Sequence, residues 1–216
     1  MNIKLFNVAL GIALTATTIS ASAQKTYTEG VVNLTIGMMG QQVDAKSYFR
    51  SDSVAITFNA GPAAIKLLTD TKGTFIATLV DVSVASKKWA AVYTPAEIEQ
   101  ALDAFPKFTF SPTTETKQIS GFNCKKVVAT DAKTSKTYDV WITNDVTMPE
   151  SAFGKYYVGI GGFPIQYTSF SERGPANVTV KSITDEKAPA GTFGISADYD
   201  KISKDDLDAM SRGGGN

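Results

Sequence analysis

Chemistry in this chain would have to come from carboxylates, lysines, tyrosines or one thiol. The sequence holds no histidine and a single cysteine, Cys124. Without histidine, the commonest general base and metal ligand is missing. Ser-His-Asp and Cys-His catalysis, zinc sites built on His and His-ligated haem are excluded with it. Cys124 lies in Gly121-Phe122-Asn123-Cys124-Lys125-Lys126. Lysines beside a thiol can lower its pKa. The simpler reading is a small buried residue on a strand, sharing parity with Phe122 and Val128. It is preferred because no base or second cysteine accompanies the thiol.

Other suggestive spacings have equally simple explanations. Gly159-Ile160-Gly161-Gly162 lacks the GKS/T ending of a phosphate loop and no helix follows it. It reads as a turn that lets the backbone pack closely. Asp198, Asp200, Asp205, Asp206 and Asp208 lack the Gly and terminal Glu of a calcium loop. Asp205 and Asp206 fit the first turn of a helix. Glu97 and Glu99 are two apart on a helix and do not face each other. The expectation is no catalytic residue, no metal and no cofactor.

The elements that would position any site are mostly strands. Val32, Leu34 and Ile36 alternate with polar or small neighbours. A second strand is expected over Tyr48–Phe58, a third over Ala64–Thr69, and a doubly covered one over Thr74–Val84. Trp89–Tyr93 continues the sheet. Thr94-Pro95-Ala96-Glu97 has the signature of a capping box with Pro at the first helical position. Ile98, Ala101, Leu102 and Phe105 then share one helical face, and Pro106 ends the helix. Phe108–Phe110, Glu115–Thr130 (broken near Gly121), Tyr138–Thr143, Ile165–Phe170 and Asn177–Ile183 complete the strands, with a polar hairpin loop over Asp131–Lys136. Ser203 caps a short helix through Met210. Residues 211–216 read as a flexible tail.

The pattern predicts a mainly β (α+β) fold: a curved antiparallel sheet or open barrel of about nine to eleven strands with a helical lid. Residues 24–210 form a single domain by this reading. Residues 1–23 read as a cleavable signal peptide: Lys4, an uncharged stretch over Leu5–Ile19, and small residues at Ala21-Ser22-Ala23. The stretch is too short and too diluted by Thr15, Thr17, Thr18 and Ser20 for a membrane span. No cysteine lies near the cut, so no lipid anchor is expected. The protein is therefore expected in the periplasm or outside the cell. Lys plus Arg and Asp plus Glu both count 21. That balance predicts no nucleic-acid partner and no general attraction to anionic membranes.

Several segments taken together resemble a known group. Ile119-Ser120-Gly121-Phe122-Asn123-Cys124-Lys125-Lys126 is followed by Tyr138-Asp139-Val140-Trp141-Ile142-Thr143. Gly162-Phe163-Pro164-Ile165-Gln166-Tyr167, Phe193 and Ala197-Asp198-Tyr199 come after it. This order resembles the secreted bacterial DUF4412-type and GLPGLI proteins of unknown function, which are distantly similar to the LolA/LolB lipoprotein-carrier fold. The resemblance spans roughly Ile119 to Met210, and the first half agrees only in strand order. Where GLPGLI proteins carry their name motif, this chain has Gly161-Gly162-Phe163-Pro164-Ile165. Arg50 is the only candidate for LolA's arginine, so lipoprotein handover is not carried over.

What the resemblance implies is an envelope protein with an open barrel and an apolar pocket. Together with the aromatic residues it predicts a non-catalytic carrier or sensor for a lipid-like ligand. Phe75, Leu79, Trp89, Ile98, Leu102, Phe105, Trp141 and Phe163 are the expected lining. The alternative is an interaction module in a cell-envelope assembly, using a strand edge or loop to hold a protein partner.

Overall fold

The computed structural model describes residues 24–38, 40–171 and 174–213. The signal segment expected over residues 1–23 lies outside them. A short strand, β1 (Lys25–Thr26), precedes two antiparallel meanders. The first is β2 (Gly30–Met38), β3 (Gln41–Arg50), β4 (Ser53–Ala60), β5 (Ala63–Asp70), β6 (Ile76–Val82) and β7 (Lys87–Val92). Helix α1 (Pro95–Asp103) leads to the second: β8 (Phe108–Ile119), β9 (Phe122–Asp131), β10 (Thr137–Thr143), the short β11 (Val146–Thr147), β12 (Phe163–Ser171) and β13 (Gly174–Thr184). Strand β14 (Asp200–Ile202) and helix α2 (Lys204–Gly213) follow.

One sheet of twelve strands results, in the order β14-β7-β6-β5-β4-β3-β2-β13-β12-β10-β9-β8. The meanders join where β2 pairs antiparallel with β13, Val180 opposite Leu34 and Ile183 opposite Val32. Two pairings are parallel and were not expected: β14 with β7, and β1 with β11.

The connection through α1 shows why the sheet is curved. Ten strand spacings separate β7 from β8, or about 48 Å in a flat sheet. The nine residues of α1 span ~13.5 Å, and the extended residues beside them bring the reach to under ~40 Å. A flat sheet would pull the connection apart. The sheet is nonetheless not closed: β8 and β14 remain its two edges. The expectation of a curved, open sheet holds, and a closed barrel does not form.

Local chemistry places the breaks. Ser120 and Gly121 both take positive φ, 51° and 85°, the conformation a two-residue hairpin requires. Thr94 and Glu97 form the expected reciprocal cap on α1, which stops at Asp103 rather than Phe105. Asp131 accepts from the Lys133 amide and the Thr134 hydroxyl, which shapes the 131–136 loop. The strand expected over Tyr48–Phe58 is two strands. The turn at Ser51-Asp52 divides it, with Asp52 accepting from Arg50 and Ser53. The closing helix runs through Gly213, so Ser211–Gly213 are helical rather than tail.

The core lies in three clusters. The largest gathers Val32, Leu34, Phe49, Cys124, Phe163 and Ile165 with their neighbours. The second centres on Val127, Val140 and Tyr157, and the third on Ala55, Leu68, Ala77, Leu79 and Ala90. No helix among the described residues is long and apolar enough to cross a membrane.

Candidate functional site

Residues directly opposite on paired strands share a sheet face, so the register sorts the first meander into two surfaces. One carries the rows Phe58–Ile65–Val80–Trp89 and Ile56–Leu67–Thr78–Ala91. The other carries Ala55–Leu68–Ala77–Val92 and Thr57–Lys66–Leu79–Ala90.

The second surface is largely covered: Ala55, Leu68, Ala77, Leu79 and Ala90 are packed against Phe193, Ile195 and Tyr199 from the segment before β14, while Val92 is exposed. The first surface is different. Ile56 and Phe58 pack against the largest cluster, but Ile65, Leu67, Ile76, Val80 and Trp89 fall in none of the three clusters. All five are half-buried. With Ile56 and Phe58 on β4 they form an apolar trough four strands wide, and α1 leaves directly from its β7 side.

The eight residues expected to line a cavity do not share one space. Trp89 is in the trough. Phe75 and Leu79 belong to the opposite, largely covered surface, with Leu79 fully buried. Ile98 is buried on α1, and Leu102 approaches Gly73 at the β5–β6 turn. Phe105 meets Tyr156 edge-on at 5.3 Å. Trp141 and Phe163 pack with the largest cluster, where Phe163 meets Phe153 at 5.2 Å and the Lys117 ammonium sits 4.0 Å from the Trp141 ring centroid. The trough residues Ile56, Phe58, Ile65, Leu67, Ile76 and Val80 were missed as a group. Their alternation was legible within single strands, but the cross-strand register that lines them up was not.

The groups able to do chemistry are occupied elsewhere. Cys124 is buried, and that burial pushes its thiol up to about 11. It is a protonated core residue, as the simpler reading held. Asp198 bonds to Lys88 at 2.8 Å, and this bond with one from Ser196 holds its carboxyl down at about 2. Asp208 pairs with Lys204 at 2.8 Å. The Asp206 amide donates to Ser203 in a helix cap. Glu97 is held low by the Thr94 backbone and hydroxyl it bonds. Tyr156 is pushed up to about 12 and Tyr157 higher still, both chiefly by burial. No group of three or more His, Cys, Asp or Glu among the described residues could hold a metal. The Gly159–Gly162 loop is a close backbone turn. Gly159 and Gly161 have φ of 86° and 92°, and a side chain on Gly162 would start 2.8 Å from the Thr143 carbonyl oxygen.

Comparison with known proteins adds the family and the fold. No curated protein matches the chain. Two crystal structures of PNGF-II, in space groups C2 and P21, are similar in fold, each with a TM-score of 0.50. Their sequences are 18% and 16% identical to this one over 86% and 85% of its length. The chain covers only 33% of theirs, so it spans about a third of these neighbours. At that identity the likeness shows fold alone. The model of a domain of unknown function, DUF4412, matches residues 28–156. The match takes in the whole first meander, where only strand order had suggested kinship, together with the Gly121–Lys126 and Tyr138–Thr143 segments. The chain belongs to the DUF4412 family.

Proposed function

We propose that this protein is a non-catalytic carrier or sensor for an apolar, lipid-like ligand, exported by a cleaved signal at residues 1–23 and working in the periplasm. The observation that carries the reading is the trough of Ile65, Leu67, Ile76, Val80 and Trp89, an apolar sheet face left out of all three core clusters. Half-buried apolar surface on one sheet face is a favourable place for an apolar ligand. Helix α1 serves as the lid, because it joins β7 to the far edge strand β8. The distant similarity of GLPGLI-type proteins to the LolA/LolB fold points the same way. Native mass spectrometry of protein purified from its own host tests the reading. Co-purified lipid, lost in Leu67→Glu or Val80→Glu, is the expected result. Ligand-free protein that also fails to quench Trp89 fluorescence with added fatty acid would overturn it.

A second reading is an interaction module of an envelope assembly. The unpaired edge of β8 favours it, since backbone groups over Thr113–Ile119 face no further strand. Pro112 and the irregular register between Pro112 and Thr116 weaken that edge as a template. A partner protein co-purifying without lipid would favour this reading over the first.

A further inference from the structure

On the surface of β2–β5 opposite the trough lies a groove of about 560 Å³. Asn33 stands opposite Lys46, Lys46 opposite Thr57, and Thr57 opposite Lys66. Neighbouring strands are ~4.8 Å apart, so the Lys46 and Lys66 backbones are ~10 Å apart with Thr57 between them. Lys181 is the extra residue where the β13 register shifts between Val180 and Ser182. There Asn33 donates to the Ser182 hydroxyl at 3.0 Å. Lys46, Lys66 and Lys181 all line the groove.

The three lysines of the groove outnumber its two aspartates. Among the described residues no ion pair joins Lys46, Lys66 or Lys181 to a carboxylate. Of the two aspartates in the lining, Asp81 is 3.3 Å from Lys88, which also holds Asp198 at 2.8 Å. Asp44, two residues from Lys46, is the remaining acid. Small side chains at Thr57 and Ala64 leave room between the lysine stems, and the Tyr199 ring closes one wall. A chain of zero net charge thus carries a local surplus of ammonium groups around a concavity.

We propose that this groove binds a phosphate-bearing ligand, either a free phosphorylated small molecule or a phospholipid headgroup. A phosphate offers several charged oxygens to one site, and three flexible ammonium groups can converge on them through charge-assisted hydrogen bonds. The lysines that carry this inference lie on the sheet face opposite the trough, although Phe58 and Ile65 also line the groove.

Titration calorimetry with pyrophosphate, and co-sedimentation with phosphatidylglycerol vesicles, test the groove on the mature protein. The variants are Lys46→Gln/Lys66→Gln/Lys181→Gln and, as a charge-matched control, Lys72→Gln/Lys187→Gln/Lys201→Gln. Pyrophosphate binding that weakens about tenfold or more in the groove variant, and little in the control, is expected if the ligand is a free phosphate. Vesicle binding alone, lost in the groove variant only, assigns the site to a headgroup. Absence of binding to both probes, or equal loss in the two variants, overturns the proposal.

Discussion

Phe108 stacks on Tyr157, with ring centroids 5.6 Å apart and planes within 13°. Phe108 opens the edge strand β8, while Tyr157 belongs to a short turn before β12, so the stack fastens the edge to the body of the sheet. Tyr156, Phe105 and Phe170 pack around it, and the Tyr157 hydroxyl donates to the Thr168 carbonyl at 2.8 Å. Tyr157→Ala should cost about 3–5 kcal/mol of stability. Tyr157→Phe should cost about 1 kcal/mol, the value of the hydrogen bond alone. Urea unfolding curves of the two variants check the difference.

Gly30 sits where β2 meets β13. Its φ is 154°, and a side chain there would start 2.1 Å from the Thr184 carbonyl oxygen and 3.2 Å from the Phe49 ring. Neither neighbour is a flexible chain end. Gly30→Ala should destabilise by more than about 2 kcal/mol, in the range of overpacked cores. Gly40→Ala, with nothing within 4 Å, should cost only about 1 kcal/mol for its positive φ. Thermal melts of the pair separate crowding from backbone conformation.

Thr94 accepts from the Glu97 amide, and the Thr94 amide donates to the Glu97 carboxylate at 2.6 Å. Thr94→Ala should cost about 1 kcal/mol. Because α1 joins β7 to the far edge strand β8, hydrogen exchange over Pro95–Asp103 should speed up more than exchange in β4 and β5. Uniform acceleration would show that the cap acts on the whole fold instead.

The Cys124 thiol, held near 11 by burial, should resist an aromatic disulfide reagent at pH 8 in the native protein. It should react stoichiometrically in denaturant. Its folded pKa lies above the unfolded value near 9, so the folded state retains the proton longer. Stability should therefore decline as pH rises from about 9 towards 11, and Cys124→Ala should flatten that part of the profile.

Asp198 responds at the acidic end. Its bonds to Lys88 and Ser196 hold the carboxyl at about 2, below the usual aspartate range. A depressed carboxyl stabilises the fold above the unfolded pKa and loses that contribution as pH falls through the folded one. The window runs from about 4 down to about 2. Carboxyl NMR titration of Lys88→Met should show Asp198 moving up towards the ordinary value.

What the sequence revealed follows the range of the interactions. The cap at Thr94 and Glu97 and the turn at Ser120-Gly121 involve neighbours in the chain, and both are legible from residue type. The break at Ser51-Asp52 was hidden because it uses neither Gly nor Pro. It depends instead on one carboxylate bonding two nearby side chains. Strand β14 is polar and three residues long, so no alternation announced it. The candidate lining shows the limit most clearly. Phe75, just before β6, and Trp89 on β7 are both aromatic, yet they pack on opposite faces of the sheet. Only the pairing of β6 with β7 decides that, and pairing is a property of the assembled sheet.

The seam between β2 and β13 also has a kinetic consequence. Within the first meander, strands pair with their immediate successors across short turns, and in the second only the link from β10 to β12, over residues 144–162, is long. Asn33 and Ser182, bonded across the seam, are 149 residues apart. Closing so long a loop carries an entropic cost that grows with the logarithm of its length, and non-local pairing of this kind slows folding. Refolding should therefore be governed by when the first and last long strands find each other. Substitutions at the seam should change the refolding rate, while those in the β4–β5 hairpin should mainly change the rate of unfolding.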